Sequence, residues 1–291
     1  MITYPNVKVN LGLSVLRKRQ DGYHDIETLF VPCMDRRDCL EIIPSDGYSE
    51  TAASLFSRFG AFRSVSGHPA IAQGITGDGR VMVTLGRGEG VHWNPLEDLS
   101  VKAYQILAED FDLPSVKIFL EKRSPVGAGL GGGSADAAFA LKMLSEMFSL
   151  GLDETALAQY AARLGSDCPF FIYNRPMFGQ ERGELLSEYV LPRGDLRIRL
   201  FIPDGIFVST REAYAGIVPR ERRTSAPAPL REVLRLPVEE WRGKLVNDFE
   251  ETVFAAHPEL AALKDSIYER GAVYASMSGS GSALFGVFRE S

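Results

Sequence analysis

Apolar and polar residues alternate from Val7 to Leu16: Val7, Val9, Leu11, Leu13 and Val15 interleave with Lys8, Asn10, Gly12 and Ser14. A period of two predicts a half-buried strand with one polar face. The following Arg17–Gly22 ends in Asp-Gly, a turn signal, and further strands are predicted over 26–31 and 39–43. Between Ser45 and Gly90 glycine, serine and charge are scattered, only 81–85 reads as a strand, and the segment is expected to be a surface excursion. Helical spacing returns over 99–111, 137–148 and 153–164, with a strand over 116–120. Beyond these lie a strand over 197–202, helices near 247–256 and 259–270, and strands near 273–277 and 283–288. Arginine-rich Arg220–Pro229 reads as an exposed loop. Strands and helices interleave without βαβ repetition or internal repeats, which predicts an α+β fold.

Composition narrows the function more than the fold. With 45% hydrophobic and 24% charged residues the profile is that of an ordinary soluble globular protein. A formal net charge of −6 argues against nucleic acid as a partner, though it leaves room for a local phosphate pocket. Cys33, Cys39 and Cys168 show no C-x-x-C spacing, and an odd count fits a reducing cytoplasm. The N-terminus lacks the basic flank and apolar run of a signal peptide, and charges interrupt every apolar run. A cytoplasmic protein, off the membrane and monomeric or homodimeric, is expected.

Residues 127–133 hold five glycines in seven positions, between a predicted strand and a predicted helix. Glycine takes positive φ and lets a ligand approach the backbone closely. Ser134 is a candidate N-cap, and the unpaired N–H groups of a helix start form an anion site, with phosphate the usual occupant. A plain connector would rarely need so many glycines, because ordering them costs conformational entropy. Gly127-x-Gly129-x-x-Gly132 matches the dinucleotide fingerprint literally but lacks the acidic residue closing a second strand. No Gly-Lys-Ser/Thr ending follows, so the loop is not a Walker loop, and the protein-kinase motif set is absent as well.

Pro125-Val-Gly-Ala-Gly-Leu-Gly-Gly-Gly-Ser-Ala-Asp136 resembles the phosphate loop of the GHMP kinases, the superfamily of galactokinase and of homoserine, mevalonate and phosphomevalonate kinases. Further blocks follow in order: Lys8-Val-Asn-Leu11, Asp21-Gly-Tyr-His24, Thr28-Leu-Phe30, Leu164-Gly-Ser-Asp-Cys-Pro-Phe-Phe171, Asn247-Asp-Phe-Glu250 and Ser278-Gly-Ser-Gly-Ser282. They span nearly the whole chain. The Asp-Gly-Tyr-His block is the most specific, and is similar to the branch that phosphorylates the 2-hydroxyl of a cytidine-diphosphate-linked methylerythritol in non-mevalonate isoprenoid synthesis. Two departures stand out: the long 45–90 segment, and Glu181 where the family pattern has glycine, near the substrate diphosphate.

The resemblance implies a two-domain α+β fold with the active site in the cleft between domains, an N-terminal domain over 1–173 and a C-terminal domain over 174–291. It implies that Asp167 accepts the proton of the substrate hydroxyl and that Lys8 beside it stabilises developing charge. ATP would lie on Pro125, Gly127, Gly129, Leu130, Gly131, Gly132, Gly133 and Ser134. Asn10 would bind the acceptor polyol, and Tyr23 and His24 the cytosine. Mg2+ would arrive with ATP; no dedicated metal cluster is visible, although Ser134 or Asp136 could touch the ion. Phosphoryl transfer needs placement and positive charge more than covalent help, which suits this set. Taken alone, a lysine on a strand is usually solvated, Ser-Asp is often a turn, and a Tyr-His pair is often structural. The alternatives are another GHMP kinase acting on homoserine, mevalonate or a sugar, a silent ATP-binding regulator, or a dinucleotide oxidoreductase.

Overall fold

The computed structural model describes residues 1–45, 62–63, 70–87, 93–191, 196–223 and 227–290. Its strands are β1 (Ile2–Thr3), β2 (Asn6–Lys18), β3 (His24–Arg37), β4 (Cys39–Pro44), β5 (Phe62–Arg63), β6 (Ala70–Ile75), β7 (Val81–Arg87), β8 (Val116–Lys122), β9 (Met177–Gln180), β10 (Leu185–Glu188), β11 (Leu196–Phe201), β12 (Tyr274–Met277) and β13 (Leu284–Arg289). The helices that matter below are α1 (Leu99–Ala108), α2 (Gly132–Met147), α3 (Glu154–Leu164), α4 (Cys168–Tyr173), α5 (Thr210–Ala215), α6 (Phe249–Ala256) and α7 (Pro258–Glu269). Among the described residues no helix is long and apolar enough to cross a membrane.

The chain divides into two compact units, each assembled from several segments. The first contains Met1–Asn6, Arg36–Ser124 and Gly132–Tyr173; the second contains Val7–Asp35, Pro125–Gly131 and Asn174–Ser291. A cut at Tyr173 therefore separates the last segments, while 7–35 and 125–131 belong with the later chain.

In the first unit the described strands form one sheet in the order β1-β4-β8-β7-β6-β5. β7 and β8 run parallel, Val81 opposite Val116, and the other pairs are antiparallel. Val116, Ile118 and Leu120 are buried on β8, as are Leu40 and Ile42 on β4. The small buried face of α2, with Ala135, Ala137, Ala138 and Ala140, lets neighbouring helices approach closely. Asp98 and Asp153 cap α1 and α3, accepting from Ser100 N at 2.9 Å and Ala156 N at 2.8 Å. The expected surface excursion is corrected here: β6 pairs along its length with β7, so its described part is sheet rather than loop. Small residues such as Ala72 and Gly74 weaken the apolar signal there without weakening the ladder. Residues 46–61, 64–69 and 88–90 of that segment lie outside the described residues.

The second unit holds a sheet in the order β10-β9-β3-β2 and another in the order β11-β13-β12. Val7, Val9, Leu11 and Leu29 share one core with Trp241, Tyr274 and Phe285, while Leu13, Val15 and Ile26 share another with Phe249, Leu260 and Met277. The predicted polar face of β2 is not solvated. Every residue from Asn6 to Val15 is buried, including Lys8, Asn10 and Ser14. Arg220 is also not part of an exposed loop: its guanidinium grips the buried Asp248 carboxylate at 2.8 and 3.1 Å.

Candidate active site

Burying Lys8 requires partners, since an unpaired charge off water is costly. The ammonium of Lys8 donates to Asn10 Oδ1 at 2.7 Å and to the Gly129 carbonyl at 3.0 Å, and lies 5.3 Å from the centre of the Phe30 ring. Its backbone N–H donates to Leu130 O at 2.9 Å. Asn10 is oriented in turn: its amide donates to Thr28 Oγ1 at 3.0 Å, and Thr28 donates to Gly12 O at 2.6 Å. The period-two spacing of Lys8 and Asn10 thus places both on one buried face of β2, against the glycine loop.

The loop itself carries Gly127, Gly129 and Gly131 at φ of 74°, 76° and 72°. A Cβ on Gly129 would stand 2.4 Å from Ser278 O, so only glycine fits beside the Ser278–Ser282 turn. Asn247 fixes that turn, donating to Met277 O at 2.9 Å and Gly279 O at 2.8 Å. Ser278 Oγ lies 3.2 Å from Gly129 O and 3.4 Å from Asn10 Oδ1. Of the loop's other residues, Leu130 is buried in the core and Pro125 half-buried.

Gly132, Gly133 and Ser134 form the first turn of α2, in the first unit. The helix starts at Gly132, so Ser134 is inside the first turn and is not its N-cap. Its hydroxyl hydrogen-bonds the Cys168 sulfur, whose thiol pKa burial pushes up to about 11. Asp167 is half-exposed and immediately precedes α4, a helix that Lys142 of α2 caps by donating to Ile172 O at 3.2 Å. Lys8 belongs to the second unit and Asp167 to the first.

Asp136 is tied to a lysine through one carboxylate oxygen, while its buried Oδ1 has no hydrogen-bond partner among the described residues. It is 1% exposed, and its Oδ2 accepts from Lys122 at 2.5 Å. Among the described residues no three or more His, Cys, Asp and Glu side chains come together in a way that could hold a metal ion.

Tyr23 and His24 stand on the β2–β3 hairpin. Tyr23 is 58% exposed, its N–H donates to Asp21 Oδ1 at 3.0 Å, and the Arg182 guanidinium lies 5.1 Å from its ring centre. His24 stacks on Tyr214 with ring centres 4.6 Å apart and planes at 20°, and Tyr214 meets Phe249 edge-on. Burial, then the charge of Lys18, lowers the His24 pKa. Tyr214 is a candidate that sequence reasoning missed, since nothing in α5 marks one aromatic residue as facing His24 rather than a core. Glu181 takes φ of 58°, a conformation that glycine would adopt more easily, and its carboxylate lies 3.5 Å from Arg19. Apart from these residues, the second unit has a cavity of about 770 Å³ lined by Val31, Cys33, Met34, Tyr189, Trp241 and Val287 among others. None of the predicted site residues lines it.

The GHMP kinases N terminal domain matches residues 98–175, and the GHMP kinases C terminal domain matches residues 231–291. A Bacteroides thetaiotaomicron 4-diphosphocytidyl-2-C-methyl-D-erythritol kinase is 44% identical over 99% of this chain and 92% of its own length. The chain belongs to the 4-diphosphocytidyl-2-C-methyl-D-erythritol kinase family. A Porphyromonas gingivalis member of the family is 43% identical, with 100% of this chain and 93% of that protein covered. A crystal structure from the family, a 4-(cytidine 5'-diphospho)-2C-methyl-D-erythritol kinase, superposes with a TM-score of 0.72 at 31% identity, covering 98% of this chain and 89% of that one. A homoserine kinase from Cytophaga hutchinsonii, at 15% identity and a TM-score of 0.58 over 97% of this chain and 85% of its own, shares the fold. The expected α+β GHMP kinase fold is thus the fold observed, and the chain is an ATP-dependent small-molecule kinase of this family.

Proposed function

We propose that this chain transfers the γ-phosphate of ATP to the 2-hydroxyl of 4-diphosphocytidyl-2-C-methyl-D-erythritol. The observation that carries the chemistry is the buried Lys8 ammonium, held by Asn10 and by the main chain of the glycine loop. A fixed cation in a water-poor setting stabilises the charge that develops on transferring phosphate oxygens. In this reading Asp167 takes the proton of the attacking hydroxyl, and the loop from Pro125 to Gly131 with the α2 start at Gly132–Ser134 holds the ATP phosphates. Asn10 orients the acceptor polyol, and Tyr23, His24 and Tyr214 recognise the cytosine by stacking and edge contacts. Magnesium would come with ATP and supply positive charge on its phosphates, and the half-exposed Ser134 hydroxyl is the protein group that would hold it.

Steady-state ADP release tests the two roles. Asp167→Asn should lower kcat by a factor of about 10² to 10⁴ with little change in either KM, as expected for loss of a general base. Lys8→Met should lower kcat/KM by about 10² to 10³, the usual effect of removing one donor to developing charge. Near-wild-type turnover in either variant would remove that residue from the mechanism.

A further inference from the structure

Beneath the first residue of α2 lies a buried ionic cluster that the proposed chemistry does not use. Lys122, the last residue of β8, has a side chain 4% exposed, and its ammonium bridges Asp38 and Asp136. Asp38 directly precedes β4, and Asp136 is on the second turn of α2, so one cation joins two strand ends to the helix. Asp38 is held on its other side: its Oδ1 accepts from Arg123 N and Ser124 N, both at 2.7 Å, and its Oδ2 accepts from Ser124 Oγ at 2.7 Å. Burial alone would lower the Lys122 pKa, but Asp136 and Asp38 outweigh it and raise it; burial drives the Asp136 carboxyl well above its ordinary value, with Lys122 opposing.

Such a cluster is a poor source of stability. Desolvating three ionisable groups offsets most of their attraction, and apolar side chains of similar volume often serve stability as well or better. What it does provide is a defined geometry. The backbone of Gly132 rests on it: a Cβ there would stand 2.7 Å from Ser124 Oγ, 3.5 Å from Lys122 Nζ and 3.7 Å from Asp38 Oδ2. By contrast a Cβ on the next residue, Gly133, would meet nothing within 4 Å.

We propose that Asp38, Lys122 and Asp136 are positioning residues that set the start of α2, with the Ser124 hydroxyl filling the space against Gly132, and through it place the Gly132–Ser134 N–H groups for the nucleotide phosphates. The inference rests on the reading that this helix start binds ATP. It separates two adjacent glycines by role. Gly132 is glycine because the cluster lies against it, and Gly133 because a ligand does.

Kinetics and MgATP binding by calorimetry on Gly132→Ala, Ser124→Ala, the double variant and Gly133→Val test both layers, with thermal unfolding recorded for each. Gly132→Ala should raise the KM and Kd for ATP about tenfold or more while the acceptor KM stays within about twofold. Adding Ser124→Ala removes the atom at 2.7 Å and should restore ATP affinity to within about threefold of wild type. If the double variant is no better than Gly132→Ala, or if ATP and acceptor constants move together, the positioning role is wrong. A Gly132→Ala protein that fails to fold leaves the double variant as the arbiter: folded with near-normal ATP affinity supports the role, and unfolded contradicts it. Gly133→Val reads the underlying assignment separately. If it leaves ATP affinity unchanged, the helix start does not bind phosphate; if it weakens ATP while the Ser124 rescue fails, only the positioning inference falls.

Discussion

Lys8 and His24 show how position rather than residue type sets a side chain's surroundings. A lysine on an alternating strand would ordinarily face water, yet Lys8 is 4% exposed and surrounded by acceptors. Because the alternation is real, the sequence places Lys8 and Asn10 on one face; what it does not show is that the face is covered. The covering atoms come from Gly129 and Ser278, which are 121 and 268 positions distant from their β2 partners. His24 carries a pH prediction. Its pKa is lowered by burial and then by Lys18, so between the folded pKa and the ordinary value near 6.5 the unfolded chain binds more protons. Its contribution to stability is therefore complete above about pH 6.5 and is lost as pH falls through that window. Neutral imidazole is also the form stacked on Tyr214, so the acceptor KM should be flat above about pH 7 and rise as pH drops below the His24 pKa. His24→Gln should abolish the acidic rise in acceptor KM while leaving the ATP KM unchanged. A pH profile identical in the variant would assign the titration elsewhere.

Elements are held in place by segments that lie far apart in sequence. β3 pairs with β9 through Thr28–Gly179, Leu29–Phe178 and Phe30–Met177, and Val7, Val9 and Leu11 of β2 pack with Trp241 and Phe285. A fragment of residues 1–173 lacks all of those later partners. It should therefore leave the apolar face of β2 and β3 uncovered and β3 without its β9 partner, and show no cooperative transition over 7–35 by hydrogen exchange. Strong protection of Val7–Val15 in that fragment would contradict this packing account. The same non-local pairing explains which elements were legible. Long periodic segments such as β2, α3 and α7 declare themselves. Short β9 and β10 do not, because four residues that include Gly179 carry too little pattern. α4 was hidden by Pro169 and the apolar Phe170–Ile172 run, which give no helical period over six residues. Glycines 132 and 133 read as the end of a turn, whereas the helix begins on them, with Ser124, Lys122 and Asp38 close against the first.

At the scale of the whole chain, an overall charge of −6 coexists with a buried lysine and a glycine loop suited to anions, so net charge says little about the local field a phosphate would meet. The family was legible from seven ordered motifs, and two interleaved units account for why those motifs are scattered from Lys8 to Ser282. A single cut at Tyr173 could not be tested by composition, because strand pairing leaves no trace in it. The reaction product reports directly which bond is made. Purified protein with MgATP and 4-diphosphocytidyl-2-C-methyl-D-erythritol should yield ADP and one new phosphomonoester, placed on the 2-hydroxyl by phosphorus NMR, with homoserine and mevalonate unchanged. Phosphate appearing on an acceptor without cytidine, and none on this one, would contradict the account.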